Sequence, residues 1–145
     1  IEREMKELIA ADSNICRNYK LLTSIKGVGP ITAIVMLCST LNFTKITDHR
    51  KFACYCGLAP FEHSSGTSVR GGCHTSSMAN RDIKVQLNRS ALIAIRCDPQ
   101  LKAYYERKVA EGKHKFSVLN AVRAKIAARC FAVVRRGTPY VALQI

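Results

Sequence analysis

The sequence predicts a mainly α-helical domain with a helix–hairpin–helix element and one irregular loop or short β-hairpin insertion, preceded by the end of a coiled-coil helix. Three observations predict it. Apolar residues recur at helical spacing over most of the 145 residues. Helix starts and stops carry their usual punctuation, as at Asp98-Pro99 and Gly137. One stretch, 57–77, has no period and holds four of the eight glycines together with seven Ser or Thr residues.

The opening stretch, IEREMKELIAADSNICRNYKLL, reads as one helix. Ile1, Met5, Leu8, Ile9, Asp12, Cys16 and Tyr19 fall near one face, and Glu2, Arg3, Lys6 and Glu7 on the others. It begins in full stride and without Met. That predicts the tail of a longer helix over 1–19 and a C-terminal fragment whose main domain is 20–145. Over about 20–40, two helical patterns flank Gly27-Val28-Gly29, and Pro30 sits where a first helical turn tolerates it. Ile31, Ile34, Val35 and Cys38 repeat as the stripe of the second helix. Thr47 or Asp48 caps a short helix through Tyr55, and Gly57 ends it. Helices resume at about Met78, with Ile83, Leu87, Ala91, Ala94 and Ile95 on one face. Asp98 caps and Pro99 opens a helix to about Ala110, which Gly112 stops. The last helix runs from about Lys115 to Arg135. Its stripe is Val118, Leu119, Val122, Ile126, Cys130, Val133 and Val134, and Gly137 and Pro139 end it.

Charge narrows the class of partner. Lys and Arg number 23 against 10 Asp and Glu, a net of +13. A small domain this basic carries the electrostatic footprint of a polyanion binder, with nucleic acid ahead of a membrane surface because the charge is not gathered on one amphipathic helix. No apolar run approaches the roughly 20 residues that span a bilayer. The seven cysteines are odd in number and most lie in apolar, helical stretches, which predicts reduced, buried thiols in a cytoplasmic protein. No CxxC pair occurs, so no metal site is predicted from Cys54, Cys56, His63, Cys73 and His74.

Two segments could carry chemistry. In the first, Lys26, Gly27 and Gly29 form a Gly-x-Gly turn into a helix. Such a turn frees backbone N–H groups at the helix start to hold a phosphate oxygen, with Lys26 as a point charge beside them. The alternative is an αα-hairpin turn that only packs. The second segment runs from Gly57 to Gly72. Ser64 and Ser65 stand there among small residues, with His63 and Arg70 near in sequence. A serine beside glycine suits nucleophilic attack on phosphate, with Arg70 steadying the phosphoryl oxygens; an ordinary turn uses the same residues. The ten acids are scattered, so a self-contained two-metal nuclease is not expected. On the last helix, Arg123, Lys125 and Arg129 offer contacts to a nucleic-acid backbone, whereas Tyr104 and Tyr105 read mainly as packing residues.

Four segments in order carry a family resemblance: LLTSIKGVGPITAIVML, then Phe43 followed after six intervening residues by RKFACYCGLAP, then SSGTSVRGG, then MANRDIK. Together they resemble the C-terminal domain of a group of bacterial insertion-sequence transposases that includes the pilin-gene-inverting recombinase. The likeness covers about residues 20–136. It implies a transposase or site-specific recombinase in the full-length protein, with this fragment inactive alone. It implies Ser65, or its neighbour Ser64, as the nucleophile that joins DNA through a phosphoserine. It further implies Mg²⁺ on a RuvC-like acidic domain outside this fragment, no cofactor within it, DNA and a structured guide RNA as partners, a homo-oligomer, and a nucleoid-associated protein of the bacterial cytoplasm. Asn80 matches the family's pattern after the serine segment. Lys84 stands where the family carries Arg, which keeps the charge but loses the bidentate fork; both are expected at backbone phosphates.

Overall fold

The computed structural model describes residues 1–58, 60–65, 69–75 and 80–142, and within 60–75 the backbone of two strands. The elements are α1 (Glu2–Ala11), α2 (Ser13–Thr23), α3 (Pro30–Thr40), α4 (His49–Tyr55), β1 (Pro60–Ser65), β2 (Val69–Thr75), α5 (Arg81–Cys97), α6 (Pro99–Ala110) and α7 (Lys115–Arg136). The domain is therefore mainly α. α7 is the axle: α2, α4, α5 and α6 all pack on it, and α3 closes the far side through α2 and α5. Its buried face is Val118, Leu119, Val122, Ile126, Ala127, Cys130, Phe131 and Val133. Phe131 stacks edge-on to Phe43 at 4.9 Å and lies 5.4 Å from Phe52, so three phenyl rings join the α3–α4 connection, α4 and α7.

Helix boundaries follow local chemistry. Asp12, Asp48, Asn80, Asp98 and His114 each accept a hydrogen bond from a first-turn backbone N–H of the helix they precede. Pro99 opens α6, and Gly137, at φ +72°, ends α7. The 57–77 segment contains an antiparallel pair. Pro60, Phe61 and Glu62 face Thr75, His74 and Cys73, and Ser64 and Ser65 face Arg70 and Val69. The register slips by one between these groups, so Gly71 and Gly72 both oppose His63 as a bulge.

Four expectations need correction. The helix predicted over 1–22 breaks at Asp12, which adopts φ −113°, ψ 118° and caps α2 through bonds of 2.8 and 3.0 Å from Asn14 and Ile15 N–H. A capping bond outweighs the apolar register that placed Asp12 mid-helix. On α3 the buried face is Thr32, Ala33, Met36, Leu37 and Thr40, while Ile31 and Cys38 are exposed. That helix is apolar nearly all round, so spacing alone does not fix its phase. Its outer face, with Met5, Leu8, Ile9 and Ile15, lines an open apolar recess of about 530 Å³. Among the described residues, the thiols are also not mostly buried. Cys38, Cys54 and Cys97 are exposed and Cys16 half-buried; Cys56 and Cys130 are buried, and burial pushes their pKa up to about 11 and about 12. Finally, α5 begins at Arg81, not at Met78, because Asn80 caps it through Asp82 and Ile83 N–H.

Asp98 ties α5, α6 and α7 together. Its Oδ1 accepts from Gln100 and Leu101 N–H at 2.9 and 3.1 Å, and its Oδ2 accepts from Arg129 Nη1 at 2.7 Å. Arg129 also donates to Gln100 Oε1 at 2.7 Å and lies over the Tyr140 ring. Burial alone would raise the Asp98 pKa, but the Leu101 N–H, the Arg129 guanidinium and the Gln100 N–H together hold it below the usual carboxylate value. A carboxyl depressed on folding contributes stability that is present above its unfolded pKa, near 4, and is lost as pH falls through the folded value. Denaturant midpoints should therefore decline below about pH 4 in the native chain. Asp98→Asn should flatten that decline and cost about 2 kcal/mol at neutral pH. An acid limb unchanged in the variant would show that other carboxyls set it.

Candidate nucleic-acid interface

Two places bring sequence-predicted residues together. The first is the turn between α2 and α3. α2 ends at Thr23, and Ser24 Oγ closes the end by donating to Leu21 O at 2.5 Å and accepting Tyr140 N–H at 2.9 Å. Ser24 is therefore structural. Val28 N–H bonds to Ile25 O at 3.0 Å, and Ile25 and Val28 are buried. Lys26 stays exposed between them. Gly27 lies at φ +93°, and a Cβ there would sit 2.6 Å from Ser90 O and 2.9 Å from Ala94 Cβ of α5. Its role is a close helix contact. Gly29 differs: it is extended, and a Cβ would meet nothing within 4 Å. It precedes Pro30, and no side chain caps the helix that follows. Of the seven helices described, only α1 and α3 lack a side-chain cap. The start of α3 thus keeps unsatisfied backbone N–H groups at the positive end of its dipole, beside a lysine.

The second place is the root of the β1–β2 pair. Leu58 is buried, with its N–H on Ala53 O at 2.8 Å and its carbonyl accepting Asn120 Nδ2 of α7 at 2.8 Å. Gly57 O accepts Lys84 Nζ of α5 at 3.1 Å, and Asn80 N–H closes onto Tyr55 O at 3.0 Å. Both ends of the insertion are thereby clamped to the helical body. Asn120→Ala should loosen that clamp and lower stability by about 1 kcal/mol, read from urea midpoints. An unchanged midpoint would show that Asn120 clamps nothing of consequence.

Predicted residues divide accordingly. Lys84 and Arg123 line one recess with Arg81, Val85 and Asn88. Asn80 spends its side-chain oxygen on the α5 cap. Arg129 is taken up by Asp98 and Gln100, with a side chain only 15% exposed, so its charge serves the fold. Lys125 lies 4.5 Å from the centre of the Tyr104 ring, in a separate cleft with Gln100 and Arg107. Ser64, Ser65 and Arg70 have only their backbone described, with Ser64 opposite Arg70. Their side chains lie outside the described residues. Arg81, Asn88 and Asn120 went unselected from sequence. The signal was present, since 81, 84, 85 and 88 share one face of a helix.

A profile of the Transposase IS116/IS110/IS902 family matches residues 19–106, more than half of the chain. The chain belongs to this transposase family. Among its relatives, an uncharacterized 43.6 kDa protein of insertion element IS110 from Streptomyces coelicolor is 39% identical over 121 residues, covering 83% of this chain and 29% of the relative. The pilin gene-inverting protein of Moraxella bovis is 23% identical, over 97% of this chain and 44% of the relative. A probable family 20 transposase from Pseudomonas aeruginosa is 29% identical over 67% of this chain and 27% of its own length. The chain thus spans less than half the length of these relatives. No described helix is long and apolar enough to cross a membrane.

Proposed function

We propose that this chain is the DNA-gripping, serine-bearing part of a transposase or recombinase. The observation that supports it best is the uncapped start of α3, with Lys26 exposed and Gly29 open to close approach, in a chain of net +13. Backbone N–H groups and a lysine there suit a phosphate oxygen and read no base edge, so binding at this turn is sequence-independent. Gly29 and Lys26 are the contacts of this helix–hairpin–helix grip, and Gly27 lets the turn pack against α5.

Ser65 is the proposed nucleophile, with Ser64 the alternative. Its Oγ attacks the phosphorus of a DNA phosphodiester as its proton passes to a base. The P–O bond to one strand end breaks, and the departing oxygen takes up a proton. The phosphoserine ester keeps the bond energy, so attack by a strand hydroxyl rejoins DNA without ATP. Arg70 is the proposed cation that steadies the phosphoryl oxygens. Among the described residues no three His, Cys, Asp or Glu side chains converge. On this proposal Mg²⁺ and the acids that hold it belong to a RuvC-like domain of the full-length protein, and the 145-residue chain alone is expected to be inactive. A guide RNA and a homo-oligomeric assembly go with the same proposal. The test is a denaturing gel of full-length protein with its element DNA. A covalent protein–DNA adduct supports the proposal. Tight, salt-sensitive binding with no adduct would leave a non-catalytic binding module instead.

A further inference from the structure

Beside the clamped root of the insertion, α5 and α7 enclose an open recess of about 360 Å³ lined by Arg81, Lys84, Val85, Asn88 and Arg123. Three of these five side chains are cationic. α7 carries no acid, and α5 carries only Asp82, exposed in its first turn. None of the three cations pairs with a carboxylate among the described residues. Lys84 is steered by its bond to Gly57 O. Arg123 is the telling member. Its Nε is buried without a partner among the described residues, and its Nη1 has only a 3.5 Å contact to Asn120 Oδ1. Burial lowers its pKa. A guanidinium desolvated at its Nε and left without a counter-charge is costly, and an anion in the recess would offset that cost. Asn88 Oδ1 is also buried and unpartnered, and a half-turn of its amide would present N–H groups instead.

We infer that this recess is a seat for a phosphodiester of a nucleic-acid strand, held by the Arg123 fork with Lys84 and Arg81. A phosphodiester offers two charged acceptor oxygens to a fork and a point charge, and a sugar can lie against half-exposed Val85. The seat rests on the proposed nucleic-acid role but is separate from the α3 turn and from Ser65. It sits where the insertion leaves the body, so a strand held there runs past the root of the serine segment.

The test measures anisotropy of a labelled DNA duplex, and of single-stranded DNA and RNA of the same sequence, against the 145-residue chain at several salt concentrations. Arg123→Gln should weaken binding about 10-fold and Lys84→Gln about 5-fold. Each should lower the slope of log affinity against log salt by about one. Arg3→Gln, on the exposed outer helix, should change affinity less than about 2-fold. Arg123→Lys keeps the charge and should recover part of the loss. If Arg123→Gln melts early, Lys84→Gln and Arg81→Gln carry the measurement. The three strands show whether the seat takes DNA, RNA or both. If the recess variants match Arg3→Gln while the native chain binds, the seat is overturned and the nucleic-acid role survives. A glutamate-rich peptide competing as well as an oligonucleotide of equal charge would also overturn it. If the native chain binds no strand, the wider proposal fails. The seat is then judged by backbone amide shifts at Arg81, Lys84 and Arg123 under inorganic phosphate, whose absence overturns it.

Discussion

Full-length protein carrying Ser65→Ala should lose strand joining by about 10³-fold or more and form no covalent adduct with DNA. The expected size follows from what is removed. A side chain that only positions a strand can be partly replaced by its neighbours, but a missing nucleophilic oxygen cannot. Ser64→Ala should keep the adduct, which decides between the adjacent serines. The two occupy successive ladder positions, opposite Arg70 and Val69. DNA affinity should change little in either variant, because the proposed grip lies at the α3 turn and the α5–α7 recess. The melting temperature should hold as well, since each substitution removes a single hydroxyl outside the seven described helices. Loss of affinity and joining together in Ser65→Ala would make the serine a binding residue. An adduct that survives in both variants would move the nucleophile out of this segment.

The legible parts of the fold were those fixed by local chemistry. Asp98-Pro99 and Gly137 bound α6 and α7 because capping and left-handed turns depend on residues two or three positions away. The stripe of α7 was legible because its other face is charged. What failed needed tertiary information. α3 could not be phased because both of its faces are apolar, and only packing against α2 and α5 chooses between them. Asp12 fitted an apolar period and yet broke the helix, since a cap competes with a mid-helix position by a small free energy that spacing does not register. Arg129 and Arg123 look alike in sequence, one helical face apart. A single buried carboxylate, Asp98, makes the first an internal tie, while the second is left uncompensated. Long-range pairing of that kind has no local signature.

Gly27 and Gly29 also look alike in sequence, and their substitutions should have opposite consequences. Gly27→Ala should destabilise the chain by about 3–5 kcal/mol, lowering its melting temperature by roughly 10 °C. Two costs add. At φ +93° an L-residue is strained by about 1–2 kcal/mol. The new methyl must also push against Ser90 O, a backbone atom of α5 at 2.6 Å, so relief requires moving a helix that packs on α7. Trimming Ala94 to Gly in the same chain would clear the contact at 2.9 Å but not the carbonyl, so rescue should be partial. Gly29→Ala meets no such obstacle. Its φ of −90° is ordinary, nothing lies within 4 Å, and a less flexible unfolded chain should leave stability unchanged or raised by up to about 1 kcal/mol. If a phosphate approaches the start of α3 there, the same methyl stands in its path, and DNA affinity should fall about 5-fold with the melting temperature intact. That combination would mark Gly29 as a glycine kept for a partner and Gly27 as one kept for the fold. If Gly29→Ala binds DNA as the native chain does, the turn is a packing element alone, and the grip must lie on the basic faces of α5 and α7.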